Sequence, residues 1–363
     1  MRKNTSRKVI AVYDEAEDLL TTWKNRFLES EIKGERDPDT VKKIDLQVQR
    51  FIDFFRKQYG HERVSAVVRR DVLAWLDYLY GRKEEGGAGL AAATVNNHKA
   101  HLSRFMTWLH EQAPHLLPDN PVDRIKDFLL PAPEPRALTE DQVRSLKNLC
   151  DRLERFHQLK GRQWRGSIPP LKKNARPKRD RAIVYTLLST GLRREMLVNL
   201  NLDQLEPNDP GRLRIARRAK LVRVRGKGRT EVTKFLSEDA RQALADYLEF
   251  ERPQDVDPES RALFLTASGV PERKPGGRMH PRSINRILEQ IGKWHDAEQT
   301  DPERYISPLR PHDLRHTYAF LLSQFSHGDR SALQRELGHR NDRYLDVYTN
   351  PPEDVAARWI EKL

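Results

Sequence analysis

Six prolines stand between residues 114 and 136, at Pro114, Pro118, Pro121, Pro131, Pro133 and Pro135. A proline lacks the backbone N–H that a helix needs and clashes with the preceding turn, so no helix crosses such a region and the chain stiffens into a connector. The 363 residues are therefore expected to fold as two bodies, which suits roughly 100–200 residues per domain. The expected division is a basic N-terminal segment (1–13), a helical domain (14–115), a Pro-rich linker (116–136) and a second domain (137–363) that ends in a C-terminal helix.

Apolar spacing of three and four residues marks the first domain as helical. Leu19, Leu20, Trp23 and Phe27 form one stripe, Ile44, Val48, Phe51, Ile52 and Phe55 a second, and Val72, Leu73, Trp75, Leu76 and Leu79 a third. The Gly-rich run at 81–90 reads as a loop, and a fourth helix is expected from an N-cap at Thr94, with Val95, His98, Leu102, Phe105, Met106 and Leu109 on one face. In the second domain, Thr139 and Gln142 have the spacing of a capping box, opening a helix expected to reach about Leu159. A helix of apolar character follows at 182–188, and short strands are expected at 213–215, 221–224 and 231–235, the last two joined at Gly226-Lys227-Gly228. Beyond Pro281 the pattern is helical. The expected fold class is mainly α with a small antiparallel sheet, an α+β arrangement.

With 66 Lys and Arg against 53 Asp and Glu, the formal net charge is +13, which points to a polyanion and most simply to nucleic acid. Lys42, Lys43, Lys99 and Arg104 lie between the apolar faces of the first domain, where the alternatives are solvated helix surface and phosphate contact. Residues 160–181 hold nine Lys or Arg and one Asp, and read as a basic loop offering Lys172, Lys173, Arg176, Lys178 and Arg179 to DNA. A single cysteine, Cys150, excludes a disulfide framework and fits a reducing compartment, so the expected location is the cytoplasm, at the nucleoid. No run approaches the ~18 apolar residues of a membrane span, and the N-terminus lacks a signal peptide's apolar region. No membrane partner is expected.

Four short motifs follow one another in the second domain: Thr190-Gly191-Leu192-Arg193, Arg225-Gly226-Lys227-Gly228, His312-Asp313-Leu314-Arg315-His316, and Leu337-Gly338-His339 with Tyr348 nine residues on. Each alone is weak: a lone His/Arg pair is usually surface or cap chemistry, and a lone tyrosine usually packs half-buried. In this order, however, the second domain resembles the catalytic domain of the tyrosine recombinases, the phage-integrase family. The resemblance begins at Ala137-Leu138-Thr139-Glu140 and matches all six positions of that family's active site, at Arg193, Lys227, His312, Arg315, His339 and Tyr348. More loosely, the helical domain resembles the family's core-binding domain, including Asn120-Pro121 before the linker. The chain departs from the family pattern at Met196, where the family has Glu and this chain carries Glu195 one position earlier. It departs again at Lys234-Phe235-Leu236, where the third strand usually ends Val-Pro-Leu, and in the longer basic segment 160–181.

The residue types suit phosphoryl transfer without metal, because the groups that gather at the motifs are cations and not a carboxylate cluster. Arg193 and Arg315 can each fork two N–H groups onto a phosphate. His312 and His339 can donate to the same oxygens or manage a proton near neutral pH. Lys227 suits protonation of the leaving 5′-oxygen, and Tyr348 is the expected nucleophile, its phenol activated by the surrounding cations. The resemblance implies a 3′-phosphotyrosine intermediate, exchange of strands between specific sites on double-stranded DNA through a Holliday junction, no cofactor and no ATP, and a homotetramer on DNA. It also implies a C-terminal segment, 351–363, that docks on a neighbouring protomer; the alternative is a helix packed on its own domain. Two other readings share these residues: a type IB topoisomerase or telomere resolvase, and a DNA-binding regulator without activity. His316 reads as structural.

Overall fold

The computed structural model describes residues 17–34, 36–131, 137–158, 170–226, 231–326 and 336–337. The chain divides into two compact units, Met1–Ala132 and Pro133–Leu363.

The first unit is built on helices α1 (Leu20–Phe27), α2 (Pro38–Tyr59), α3 (Arg69–Tyr80) and α4 (Ala92–Gln112). Asp37 caps α2 by accepting from the Asp39 backbone N–H, Pro38 supplies the preset φ of a first helical residue, and Gly60 ends the helix at φ 72°. The apolar stripes read from the sequence are the buried faces, except at Leu73, which is exposed: Phe51 meets Trp75 edge-on with ring centroids 5.3 Å apart, and Phe27 meets Phe105 at 5.5 Å. Helix α4 begins earlier than expected, with Ala91 and not Thr94 at the N-cap, since Ala92 and Ala93 turn helical as soon as the Gly-rich loop ends. The linker also differs. Leu116, Leu117, Val122 and Ile125 are buried in the core of the first unit, so Pro114, Pro118 and Pro121 shape a fold-back and not a spacer. Asn120 fixes that turn, accepting from the Val122 N–H at 3.0 Å and donating to Thr107 Oγ1 at 3.0 Å.

The second unit centres on α7 (Pro177–Thr190), whose residues Ala182, Ile183, Val184 and Leu187 are buried. Around it lie α5 (Glu140–Cys150), α6 (Leu153–His157), α8 (Arg194–Val198), α9 (Pro210–Ile215), α10 (Glu238–Phe250), α11 (Pro281–Asp296) and α12 (Pro311–Phe325). The capping box is present: Thr139 Oγ1 accepts from the Gln142 N–H, and Gln142 Oε1 accepts from that of Thr139. The helix it opens stops at Cys150 and not at Leu159: Arg152, at φ −111° and ψ 12°, leaves the helical conformation, and the chain resumes as α6. Strands β1 (Leu205–Glu206), β2 (Ala219–Arg225) and β3 (Glu231–Leu236) form an antiparallel sheet in the order β1-β2-β3. Leu205 pairs with Leu221, and Ala219 with Leu236. The strand expected at 213–215 is instead the end of α9: Asp209 caps the Arg212 N–H at 2.8 Å with Pro210 at the first turn, and that local signal overrides the short alternation. Helix α7 itself starts at Pro177, five residues before the expected Ala182, because Glu251 accepts from the N–H groups of Lys178 and Arg179 in its first turn. Among the described residues no helix is long and apolar enough to cross a membrane.

Candidate active site

Helix α7 ends at Gly191, held at φ 59° and ψ 25°, where only glycine sits without strain. The space also demands it: a Cβ there would lie 2.3 Å from Cδ1 of Tyr318. Two residues on, Arg193 occupies the N-cap of α8 with extended φ and ψ, half-buried; its carbonyl accepts from the Leu197 N–H, and its side chain has no hydrogen-bond or ion-pair partner among the described residues. Arg315, from the second turn of α12, reaches the same place from the opposite side. It is 4 % exposed, and its Nη1 donates to the Gly191 carbonyl at 2.5 Å while Nη2 donates to the Leu337 carbonyl at 2.7 Å. A guanidinium can bridge two carbonyls in fixed geometry where an ammonium cannot.

His312 stands in the first turn of α12, one helical turn before Arg315, so both project to one side. The turn is fixed by Asp313, which accepts from the Arg310 N–H at 2.7 Å. Arg193, His312 and Arg315 line a single cleft of about 630 Å³ together with Arg194, Arg310 and Glu195. Loss of hydration, then the charges of Arg315 and Arg193, push the His312 pKa below the ordinary histidine value. This direction favours the neutral ring, which can accept a proton, and the residue is exposed. Partial burial raises the Glu195 carboxyl, but its bond to Arg194, at 2.6 Å, and a backbone bond hold it net below the usual range. Glu195 thus offsets Arg194 at the cleft, while Met196 packs against the core. Among the described residues no group of three or more His, Cys, Asp or Glu is placed to hold a metal. Lys227, His339 and Tyr348 lie outside the described residues, as does the segment 351–363. His316 is half-buried, its ring 6.4 Å from that of His312.

The expected DNA contacts separate into three groups. Lys42 and Lys43 are exposed on α2, and Lys172 and Lys173 are exposed before α7. Lys43 and Arg104 face His101 between α2 and α4, close enough that, after burial itself, their charges lower its pKa. Lys99 is a tether: its side chain is 12 % exposed, its Nζ meets Asp127 at 2.6 Å, and it also donates to the Ile125 carbonyl. Lys178 is held by Glu154 at 2.7 Å and lies over the Phe250 ring. The assignment of Arg176 and Arg179 to DNA is corrected by their burial. Arg176 forks onto Asp255 with two bonds of 2.7 Å, and Arg179 forks onto Asp180 at 2.9 and 2.8 Å and donates to the Leu265 carbonyl. Asp255 has no exposed side-chain surface, so it requires a counter-charge inside the fold. Sequence reasoning noted Lys234 only as a departure and gave no role to Glu336 or Tyr318; Lys234 and Tyr318 both meet Glu336, next to the Leu337 carbonyl that Arg315 holds. The signal was the strand alternation, which turns Lys234 inward with Leu236.

Comparison with known proteins agrees with this geometry. The model of the phage integrase family matches residues 136–354. Tyrosine recombinase XerC of Caldanaerobacter subterraneus is 24% identical over 361 residues, covering 95% of this chain and 86% of that protein. Tyrosine recombinase XerC of Pseudomonas aeruginosa is 34% identical over 173 residues, which is 48% of each chain. The crystal structure of the XerH site-specific recombinase bound to its palindromic difH substrate, in a post-cleavage complex, shares the fold with a TM-score of 0.60 at 16% identity, over 88% of this chain and 79% of that one. Two arginines and a histidine thus meet within a sequence that the family model matches almost from end to end of the second unit, and the chain belongs to the phage integrase family as a tyrosine recombinase.

Proposed function

We propose that the chain recombines double-stranded DNA at specific sites, cutting with Tyr348 and exchanging strands through a Holliday junction. The observation that carries the reading is the convergence of Arg193, His312 and Arg315 on one cleft, tied together by the Arg315–Gly191 bond. Arg193 and Arg315 neutralise the non-bridging oxygens of the scissile phosphate, which carry the charge of the transition state. Neutral His312 is set to take the phenolic proton as the Tyr348 oxygen attacks phosphorus. The P–O5′ bond breaks, Lys227 protonates the departing 5′-oxygen, and His339 donates to the phosphoryl group. The strand is left joined to the protein as a 3′-phosphotyrosine and a free 5′-hydroxyl. Attack by the 5′-hydroxyl of a partner strand reverses these steps and releases Tyr348, so the joining energy is conserved and no ATP is needed.

The DNA partner is supported by the XerH complex with difH DNA and by the exposed Lys42, Lys43, Lys172 and Lys173. The first unit acts as the core-binding domain, and four protomers act on two duplexes. The test is a plasmid carrying two directly repeated copies of the chain's site, itself found by sequencing DNA recovered covalently bound to the protein. Excision of the intervening segment is the expected result. Relaxation of supercoils in a plasmid without the site, and no excision, would mark a topoisomerase instead.

A further inference from the structure

Alternation along β3 sends Val232, Lys234 and Leu236 to the inner face of the sheet and leaves Phe235 outside, 61 % exposed. An inward strand position normally holds an apolar residue, and a lysine is almost never fully buried unless it is paired. Lys234 is 4 % exposed, and it is paired: its Nζ meets Glu336 Oε2 at 2.7 Å and also donates to the Glu336 carbonyl. Tyr318, from α12, donates to the same carboxylate oxygen at 3.2 Å. The next carbonyl, that of Leu337, is the one held by Arg315. Two buried cations from separate elements therefore grip consecutive carbonyls of one dipeptide. One of them, Arg315, also holds the turn that presents Arg193. Tyr318 closes the loop, since its ring lies against Gly191.

We infer that the Lys234–Glu336 ion pair is a positioning latch for cleavage, seating Glu336-Leu337 so that the Leu337 carbonyl orients the Arg315 guanidinium toward the scissile phosphate. The inference rests on the functional reading above, which assigns Arg315 to the phosphate. Neither residue touches the reacting atoms. Both act through Leu337 and Arg315, and a misplacement of about 1 Å in such a group costs on the order of 10²-fold in rate. The two residues form a unit. Removing Glu336 leaves the buried Lys234 charged without its carboxylate, and removing Lys234 leaves Glu336, whose side chain is 35 % exposed, with the Tyr318 hydroxyl, whereas replacing both with apolar groups removes the need for the pair.

The test uses the full chain and a nicked duplex carrying its site. Single-turnover cleavage, DNA binding by gel shift and hydrogen exchange of the 336–337 amides are measured for Lys234→Met, Lys234→Arg and the double variant Lys234→Met/Glu336→Leu. Lys234→Met should cleave about 10–100-fold more slowly with its binding constant within about twofold of the parent, and exchange at 336–337 should quicken. Lys234→Arg, which keeps the charge, should recover part of the rate, and the double variant most of it. If Lys234→Met fails to fold, the double variant, which removes the buried lysine together with its carboxylate, carries the test alone against the parent. Parental cleavage by Lys234→Met, or a double variant that folds but cleaves as slowly as the single one, overturns the latch. The exchange measurement reads the latch without activity, so a parent protein that does not cleave at all would refute the functional reading separately.

Discussion

Arg315 is bonded to the carbonyl of Gly191, at 2.5 Å, across 124 residues of chain. This one bond joins the C-terminus of α7, which delivers Arg193, to α12, which delivers His312, and so it sets the spacing of the cleft's cations. The two arginines carry different structural burdens. The Arg193 guanidinium has no bonded partner among the described residues, whereas that of Arg315 holds two backbone carbonyls in the interior. Alanine at either position should reduce single-turnover cleavage by about 10²–10³-fold, the usual loss for one transition-state donor. Thermal melts should separate them: Arg193→Ala should stay within about 0.5 kcal/mol of the parent. Arg315→Ala should lose about 1.5–3 kcal/mol for each charged hydrogen bond removed.

Gly191→Ala tests the turn itself. The added methyl meets the Tyr318 ring, in a backbone conformation that alanine rarely adopts. A loss of about 1–3 kcal/mol is expected from strain alone. Because the shifted turn moves Arg193, cleavage should fall further than stability does. A variant with parental cleavage would show that the turn does not set the arginine's place.

Much of this was legible in the chain, for reasons that differ by element. The buried stripes of α2 and α4 follow from 3.6-residue periodicity over 22 and 21 residues, lengths at which the pattern leaves little ambiguity. Arg193, His312 and Arg315 were readable because sequence motifs fix their local spacing. Short or long-range features were not. Residues 213–215 alternate like a strand, yet three residues cannot outweigh the Asp209-Pro210 helix start. Arg176 and Arg179 looked like DNA ligands because the sequence shows their charge but not Asp255, 79 residues from Arg176, or the burial that pairs them. Lys234 and Glu336 stand 102 residues apart, and nothing local announces that one requires the other.

The basic segment before α7 should therefore divide in function. Asp255→Asn breaks a bidentate pair in the interior and should cost about 3–5 kcal/mol of stability, with the salt dependence of DNA binding unchanged. Lys172→Glu with Lys173→Glu should leave the melting temperature nearly unchanged and weaken DNA binding. The plot of log affinity against log salt should flatten by about 0.9 for each phosphate that is no longer neutralised. Filter binding across a salt series reads both.

Low pH should weaken the first unit through His98. This imidazole is 3 % exposed, its Nδ1 faces the Thr94 carbonyl at 2.9 Å, and its Nε2 faces Arg50 at 3.1 Å, which fits a neutral ring that donates to the carbonyl and accepts from the arginine. Burial, and then Arg50 and Lys43, push its pKa below the ordinary value. The unfolded ring titrates near ~6.5, so the unfolded state takes up protons first as pH drops. Stability should be full above about pH 6.5 and decline below it, with a smaller decline in His98→Gln. Urea unfolding at about pH 7.5 and about pH 5.5, on either side of that value, measures the slope. The fluorescence of Trp75, which lies against the same ring, reports the transition.

The most direct test of the account is the covalent bond it requires. The full chain, incubated with a nicked duplex carrying its site so that the cleaved end diffuses away, should accumulate a protein–DNA adduct resistant to boiling in detergent. Mass spectrometry of the digested adduct should place a 3′-phosphonucleotide on Tyr348, and Tyr348→Phe should form none. An adduct of undiminished yield in Tyr348→Phe, or one carried through a 5′-phosphate, would contradict the account.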